Sequence, residues 1–194
     1  MFRRKCAPRL KSSCSKKSLH AVKLIRLDAS LLGTLLTRMR NATVVYQVRD
    51  PRAIIASRLK HAQMLMTHGL AKEVRLLCSS MRHDYAVIQK LSRAFPRRVQ
   101  VLRYEDVVQK PREEVERIYN FLRAPVHADV LNAFEKGRTR AEMKQHRGVS
   151  ERVFGTFREN PEQVATAWRS QLNVTVRRLF TKECRDVLQA LLYD

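Results

Sequence analysis

Apolar positions along the chain alternate between two spacings. Leu31, Leu32, Leu35, Leu36 and Met39 recur at helical steps, whereas Val44 to Val48 is a β-branched and apolar run without alternation, the pattern of a buried strand. Ala21–Arg26 predicts a short strand before that helix, so residues 21–48 read as a βαβ unit with parallel strands and a right-handed crossover. A helix is expected from Asp50 to about Leu59, and a longer one through Val74, Leu77, Met81, Tyr85, Ile88 and Leu91, stopping before Pro96. Val99–Arg103 predicts the next strand. Helices are then expected from Pro111 (Val115, Ile118, Tyr119, Leu122), near Asp129–Glu135, after Asn160-Pro161 (Val164, Ala165, Trp168, Leu172), and over Val176–Leu191. Alternating strands and helices make this an α/β domain with a parallel sheet flanked by helices. Residues 1–194 show no internal repeat or second domain, and 1–17, basic and without periodicity, read as a disordered or frayed terminus.

The junction at Arg49-Asp50-Pro51 is the sharpest signal. Asp50 can accept from the first unpaired helix amides, and Pro51 suits the first helical position because its missing N–H has no partner there anyway. Arg49 is thereby held at the carboxyl end of a strand, beside a helix N-terminus that favours anions. Ser57 follows Asp50 by about two helical turns, on the same face, so a guanidinium and a hydroxyl converge on one point. Tyr104, Glu105 and Asp106 leave the next strand at the same sheet edge, where open parallel sheets bind ligands. Glu105 or Asp106 would then form part of a site wall, or, on general grounds the better reading, brace the helix starting near Pro111. Lys136–Arg158 is a long polar, basic stretch of the kind that is either functional or mobile.

Composition narrows the classes. With 44% hydrophobic residues the chain can bury a core, and 39 Lys and Arg against 18 Asp and Glu give a net charge of +21. Such a charge gathers polyanions without saying which: nucleic acid, anionic membrane, nucleotide phosphates or acidic polysaccharide. No apolar run approaches a membrane span, and no signal-peptide core follows the basic start. Cys6, Cys14, Cys78 and Cys184 lack zinc-type spacing and the histidines are scattered, so no metal site is expected. Asn41-Ala-Thr43 and Asn173-Val-Thr175 are sequons that would accept glycans in a secretory compartment.

Val-Arg-Asp-Pro-Arg-Ala (48–53) followed by Ser-Arg-Leu (57–59) resembles the 3′-phosphate-binding motif of Golgi carbohydrate sulfotransferases, which use 3′-phosphoadenosine-5′-phosphosulfate (PAPS). The resemblance continues through Arg-Tyr-Glu-Asp at 103–106, Trp168-Arg169 with Leu172, and Cys184, and is nearest to enzymes sulfating the 6-hydroxyl of GlcNAc, GalNAc or Gal. It implies a P-loop-like sulfotransferase fold, PAPS as co-substrate without a metal, and a glycan or proteoglycan acceptor. Arg49 and Ser57 fall on the family's two 3′-phosphate ligands. Arg158 is implied as a further nucleotide contact and His146 as an acceptor contact or general base, against the plain alternative of an exposed loop histidine. Trp168 reads as core, with a place under the adenine as the other option. Cys78 and Cys184 look like lumenal family cysteines able to form a disulfide, while Cys78 also reads as a small buried residue.

The resemblance also implies a first strand and an Arg-Ser/Thr-Gly-Ser-Ser/Thr-type loop for the 5′-phosphosulfate, and this sequence has no such loop. The chain is therefore expected to be N-terminally truncated, with a membrane anchor upstream, poor solubility and little transfer activity of its own. The competing reading is a non-catalytic basic module binding glycosaminoglycan or nucleic acid. Against specific nucleic-acid binding, few aromatics interleave the basic residues and no helix-turn-helix, zinc-finger or RNA-recognition motif is present. A nucleotide kinase is disfavoured by the absence of a Gly-x-x-x-x-Gly-Lys-Ser/Thr sequence.

Overall fold

The computed structural model describes residues 11–25, 27–60, 69–135 and 160–193. Helix α1 (Leu31–Arg38) leads into strand β1 (Val44–Val48), helix α2 (Pro51–Leu59) and the long helix α3 (Leu70–Ala94). Strand β2 (Val99–Arg103) follows, with α4 (Tyr104–Gln109), α5 (Pro111–Leu122) and α6 (Ala128–Glu135) after it. The C-terminal part holds α7 (Pro161–Thr166), α8 (Trp168–Gln171), α9 (Val174–Glu183) and α10 (Arg185–Ala190).

β1 and β2 pair in parallel, from Val44 opposite Val99 to Val48 opposite Arg103. Both strands therefore end at one edge, and α2 and α4 start there. The architecture is the expected α/β arrangement of a parallel sheet flanked by helices, with two strands among the described residues.

Helix α3 carries the packing. Its 25 residues extend about 37 Å at the helical rise, and the apolar residues of one face reach two separate cores. Val74, Cys78 and Met81 enter the first, with Val48, Ile55, Trp168, Phe180, Cys184 and Leu188. Ile88 enters the second, where Leu32 and Leu36 of α1 meet Val99. Arg98 ties these parts together: its guanidinium donates to the carbonyls of Leu36 (2.9 Å) and Met39 (2.6 Å), filling acceptors that the end of α1 leaves open.

A disulfide joins Cys78 of α3 to Cys184, between α9 and α10, closing a sequence separation of 106 residues. Arg82, one helical turn along α3, pairs with Asp186 and donates to the Glu183 carbonyl, so the same stretch of α3 holds α9 and α10 twice. Of the two readings for Cys78, the bridged one is what the fold contains.

Four expectations are corrected. Residues 21–25 form no strand: Val22 and Ile25 are 77% and 72% exposed, and the parallel partner of β1 is β2, supplied from 55 residues further along in register. β1 is not buried on both faces, since Val45 and Gln47 are exposed, Val44 and Tyr46 are half-buried and Val48 is buried; β-branched content marked the strand but not its coverage. The predicted C-terminal helices each break in two, at Ala167 and at Cys184, which lets Trp168 and Cys184 turn into the core. Residues 11–15, expected to be without structure, make an exposed helical turn.

The last described turn is a Schellman closure. Tyr193 N–H donates to the Leu188 carbonyl (2.8 Å) and Leu192 N–H to that of Gln189 (3.2 Å), with Leu192 left-handed at φ 56°. This reversal returns Tyr193 to the first core, where Arg103 lies 4.8 Å from its ring centroid.

Two predictions follow from this packing. Cys184→Ala should lower stability by about 2–4 kcal/mol, as expected for a bridge closing a long loop; urea unfolding with and without reductant checks this, with the variant insensitive to reductant. The second concerns pH. Burial pushes the Tyr46 and Tyr193 phenols above their ordinary range, with the charges of Asp84 and Glu105 adding to the respective effects. Because the folded state holds these protons more tightly, their stabilising contribution is complete below the unfolded phenol value of about 10 and declines as pH rises past it. Urea midpoints should fall above that pH, and Tyr193→Phe should flatten the fall.

Candidate functional site

The carboxyl edge of the sheet is built on Asp50. Its backbone leaves the helical region at φ −49°, ψ 120°, and its carboxylate accepts the Arg52 N–H at 2.8 Å, capping α2 with Pro51 in the first helical position. The same carboxylate takes the Arg52 guanidinium in a fork, Nε to Oδ1 at 3.0 Å and Nη2 to Oδ2 at 2.8 Å. Both residues are buried, at 4% and 9% exposure. A buried charge needs its partner, so the cap and the ion pair fix each other. From the first turn of α4, Glu105 Oε1 accepts the Asp50 N–H at 3.0 Å.

This places the three acidic-edge residues. Tyr104 and Glu105 open α4 directly and do not cap the helix at Pro111; Glu105 braces the neighbouring strand-to-helix turn instead. Asp106 pairs with Arg103 Nη1 at 2.9 Å, while Arg103 Nη2 reaches the Leu192 carbonyl at 2.9 Å. Glu105 Oε2 and the Tyr193 hydroxyl are both buried without a hydrogen-bond partner, and the carboxylate is near enough for its charge to act on the phenol.

Arg49 stands at this edge as expected, and its guanidinium is already oriented. Nη2 donates to the Val164 carbonyl of α7 at 3.1 Å, and the group lies 4.7 Å from the Tyr104 ring centroid. Its Nε is buried without a hydrogen-bond partner. An arginine has five N–H donors, so a single bond to a carbonyl leaves most of the fork for another acceptor. Ser57 is half-buried on α2, and its hydroxyl has no hydrogen-bond partner among the described residues. A cation with unspent donors and an unpaired hydroxyl thus flank the first two turns of α2, whose amides attract negative charge. An anion such as a phosphate monoester fits this donor set. His146 and Arg158 lie outside the described residues.

Trp168, weighed between core and ligand, is core: it is 6% exposed, with Arg52 stacked 3.9 Å from its ring centroid. That exposure leaves no ring face for adenine. The Arg49–Val164, Asp50–Glu105 and Arg52–Trp168 contacts were missed in the sequence. Only the Asp-Pro cap is encoded locally; the others join residues 55 to 116 positions apart and carry no spacing signal. Asp28, His83 and Asp84 bring possible metal ligands within 4.8 Å of one another, but Asp28 and Asp84 already accept the N–H groups of Ser30 and Ala29 where α1 begins, which accounts for them. No helix among the described residues is long and apolar enough to cross a membrane.

Comparison with known proteins gives the family. The chain belongs to the sulfotransferase domain family, whose family model matches residues 15–191. It is 24% identical over 196 aligned residues to human (Homo sapiens) carbohydrate sulfotransferase 1, covering 93% of this chain and 46% of that protein. To mouse (Mus musculus) carbohydrate sulfotransferase 4 it is 27% identical over 202 residues, covering 95% and 50%. The chain thus spans about half the length of the curated relatives it matches. A solved structure, the sulfotransferase domain from the curacin biosynthetic pathway, aligns with a TM-score of 0.49 and 18% identity over 79% of this chain and 57% of that one.

The ion pair at this edge is testable. Asp50→Ala should cost roughly 3–5 kcal/mol, because it strands the buried Arg52 charge as well as removing the cap. Asp50→Asn, which keeps a capping oxygen, should recover only about 1 kcal/mol of that loss. Urea denaturation of both variants reads the difference; a near-native Asp50→Asn would show that the cap alone holds the turn.

Proposed function

We propose that the chain provides the 3′-phosphate side of a PAPS site in a carbohydrate sulfotransferase. The observation that carries this is that Arg49, with Nε and other donors unspent, stands just before α2 while Ser57 of that helix has a hydroxyl with no hydrogen-bond partner among the described residues. Arg49 holds the phosphate through charge-assisted hydrogen bonds, and its stacking on Tyr104 and bond to Val164 keep the guanidinium in place before the ligand arrives. These residues orient the donor and do not attack it. Recognition of the 3′-phosphate separates PAPS from ordinary adenylates.

The reaction is in-line transfer of a sulfuryl group from PAPS to a sugar hydroxyl, with a base taking the acceptor proton as the nucleotide leaves. We assign the acceptor as the 6-hydroxyl of GlcNAc, GalNAc or Gal in a glycan or proteoglycan chain, Arg158 as a further nucleotide contact and His146 as the base or an acceptor contact. No metal is required by this scheme. The Cys78–Cys184 bridge supports an oxidising compartment, in keeping with the Golgi lumen, and Asn41 and Asn173 are both exposed. The charge of +21 favours a second reading, a basic module that holds polyanions without catalysis.

Calorimetric titration with 3′-phosphoadenosine-5′-phosphate and with 5′-AMP separates the two. A clear preference for the former is expected, weakened by about 1.5–3 kcal/mol in Arg49→Ala and by a comparable amount in Ser57→Ala. Arg49→Lys should regain only part, because an ammonium cannot reproduce the fork. Ser57→Ala is the cleaner variant, since its hydroxyl makes no hydrogen bond among the described residues and stability should not change. Binding that ignores the 3′-phosphate and falls steeply with salt would leave the basic-module reading standing.

A further inference from the structure

A second basic site lies beside the first. A cleft of about 360 Å³ opens among α2, α8, α9 and α10, lined by Arg52, Trp168, Arg169, Arg177, Phe180, Thr181 and Leu188, with no carboxylate among the described residues of its wall. Arg52 is already neutralised by Asp50 at its back. Arg169 and Arg177 are different: both are exposed, and neither has an acidic partner among the described residues. Arg169 leans on Trp168 at 4.8 Å from the ring centroid, which gives its side chain a fixed base. Thr181 spends its hydroxyl hydrogen on the Arg177 carbonyl at the long distance of 3.3 Å, so the donors for any ligand come from the two guanidiniums.

Two unpaired guanidiniums on one concave wall repel each other unless an anion sits between them. Their planar forks suit the oxygens of a sulfate or phosphate group, and Trp168, Phe180 and Leu188 supply the apolar part of the cleft wall. Its volume is that of a site for a small ligand, well beyond what a bare oxyanion fills.

We propose that this cleft binds a sulfate ester on a sugar, that is, a unit of a glycan chain already sulfated, apart from the nucleotide phosphate held at Arg49. The proposal rests on the sulfotransferase reading. An enzyme acting along a chain meets its own product a few units away, and a site for that product would keep the chain engaged between transfers.

The test is calorimetric titration of the full 194-residue chain with three probes: a 6-sulfated N-acetylglucosamine disaccharide, its unsulfated counterpart and inorganic sulfate. The sulfated disaccharide should bind about tenfold or more tightly than either of the others, as expected when a charged pair and the apolar part of the wall act together. Arg169→Ala/Arg177→Ala should remove that advantage while binding 3′-phosphoadenosine-5′-phosphate within about twofold of the parent, since exposed charges at a distance act weakly. Arg75→Ala/Arg93→Ala removes the same charge from the exposed side of α3 and should leave disaccharide binding unchanged. Matched urea midpoints establish that all forms are folded, and Arg177→Gln serves if the double variant is not. Equal losses in both double variants would reduce the effect to general charge and overturn the proposal. So would equal affinity for sulfated and unsulfated sugar, or inorganic sulfate binding as tightly as the disaccharide. Loss of nucleotide discrimination with the cleft still selective would instead overturn the donor-site reading.

Discussion

One carboxylate sets the geometry of this molecule. Asp50 follows β1, caps α2 and holds the Arg52 guanidinium in a buried fork, while its own N–H donates to Glu105 at the start of α4. Removing water from two opposite charges is costly, and the cost is offset only when nearly every donor and acceptor is matched. The turn therefore has little freedom, and two cationic side chains leave it in fixed directions: Arg49 toward Val164 and Tyr104, Arg52 toward Trp168. Both the carboxyl edge of the sheet and the neighbouring cleft inherit their positions from this arrangement.

What was legible in the sequence follows from the range of the interactions involved. The Asp-Pro cap, the apolar period of α3 and the β-branched run of β1 are local properties, and each was recovered at nearly its observed limits. The alternate exposure along β1 was not, because whether a strand face is covered depends on other parts of the chain. Residues 21–25 have the composition of a strand but belong to no sheet, for the same reason. At the site, the identities of Arg49 and Ser57 came from a spacing that joins a strand end to a helix face. Glu105 carried an equally clear signal of being at the right edge, yet its partner, the Asp50 N–H in the turn between β1 and α2, was invisible until the register was known.

The bond from Arg49 to a backbone carbonyl has a physical meaning beyond stability. A long side chain free in water loses rotamer entropy when it grips a ligand. Here much of that loss is taken on folding, by a hydrogen bond and an aromatic ring that leave most of the guanidinium edge available. Trp168 does the same for Arg52 and Arg169. Tyr193 holds Arg103 in the same way.

Helix α3 gives this economy of fixed side chains a mechanical side. It is a single rod that enters one core through Val74, Cys78 and Met81 and the other through Ile88, and the disulfide and Arg82 rivet it to the C-terminal helices midway. A rod anchored at both ends cannot tilt in one core without prying at the other. Opening fluctuations that start beneath α1 are thus levered toward α9 and α10, and the two cores behave as one cooperative melting unit.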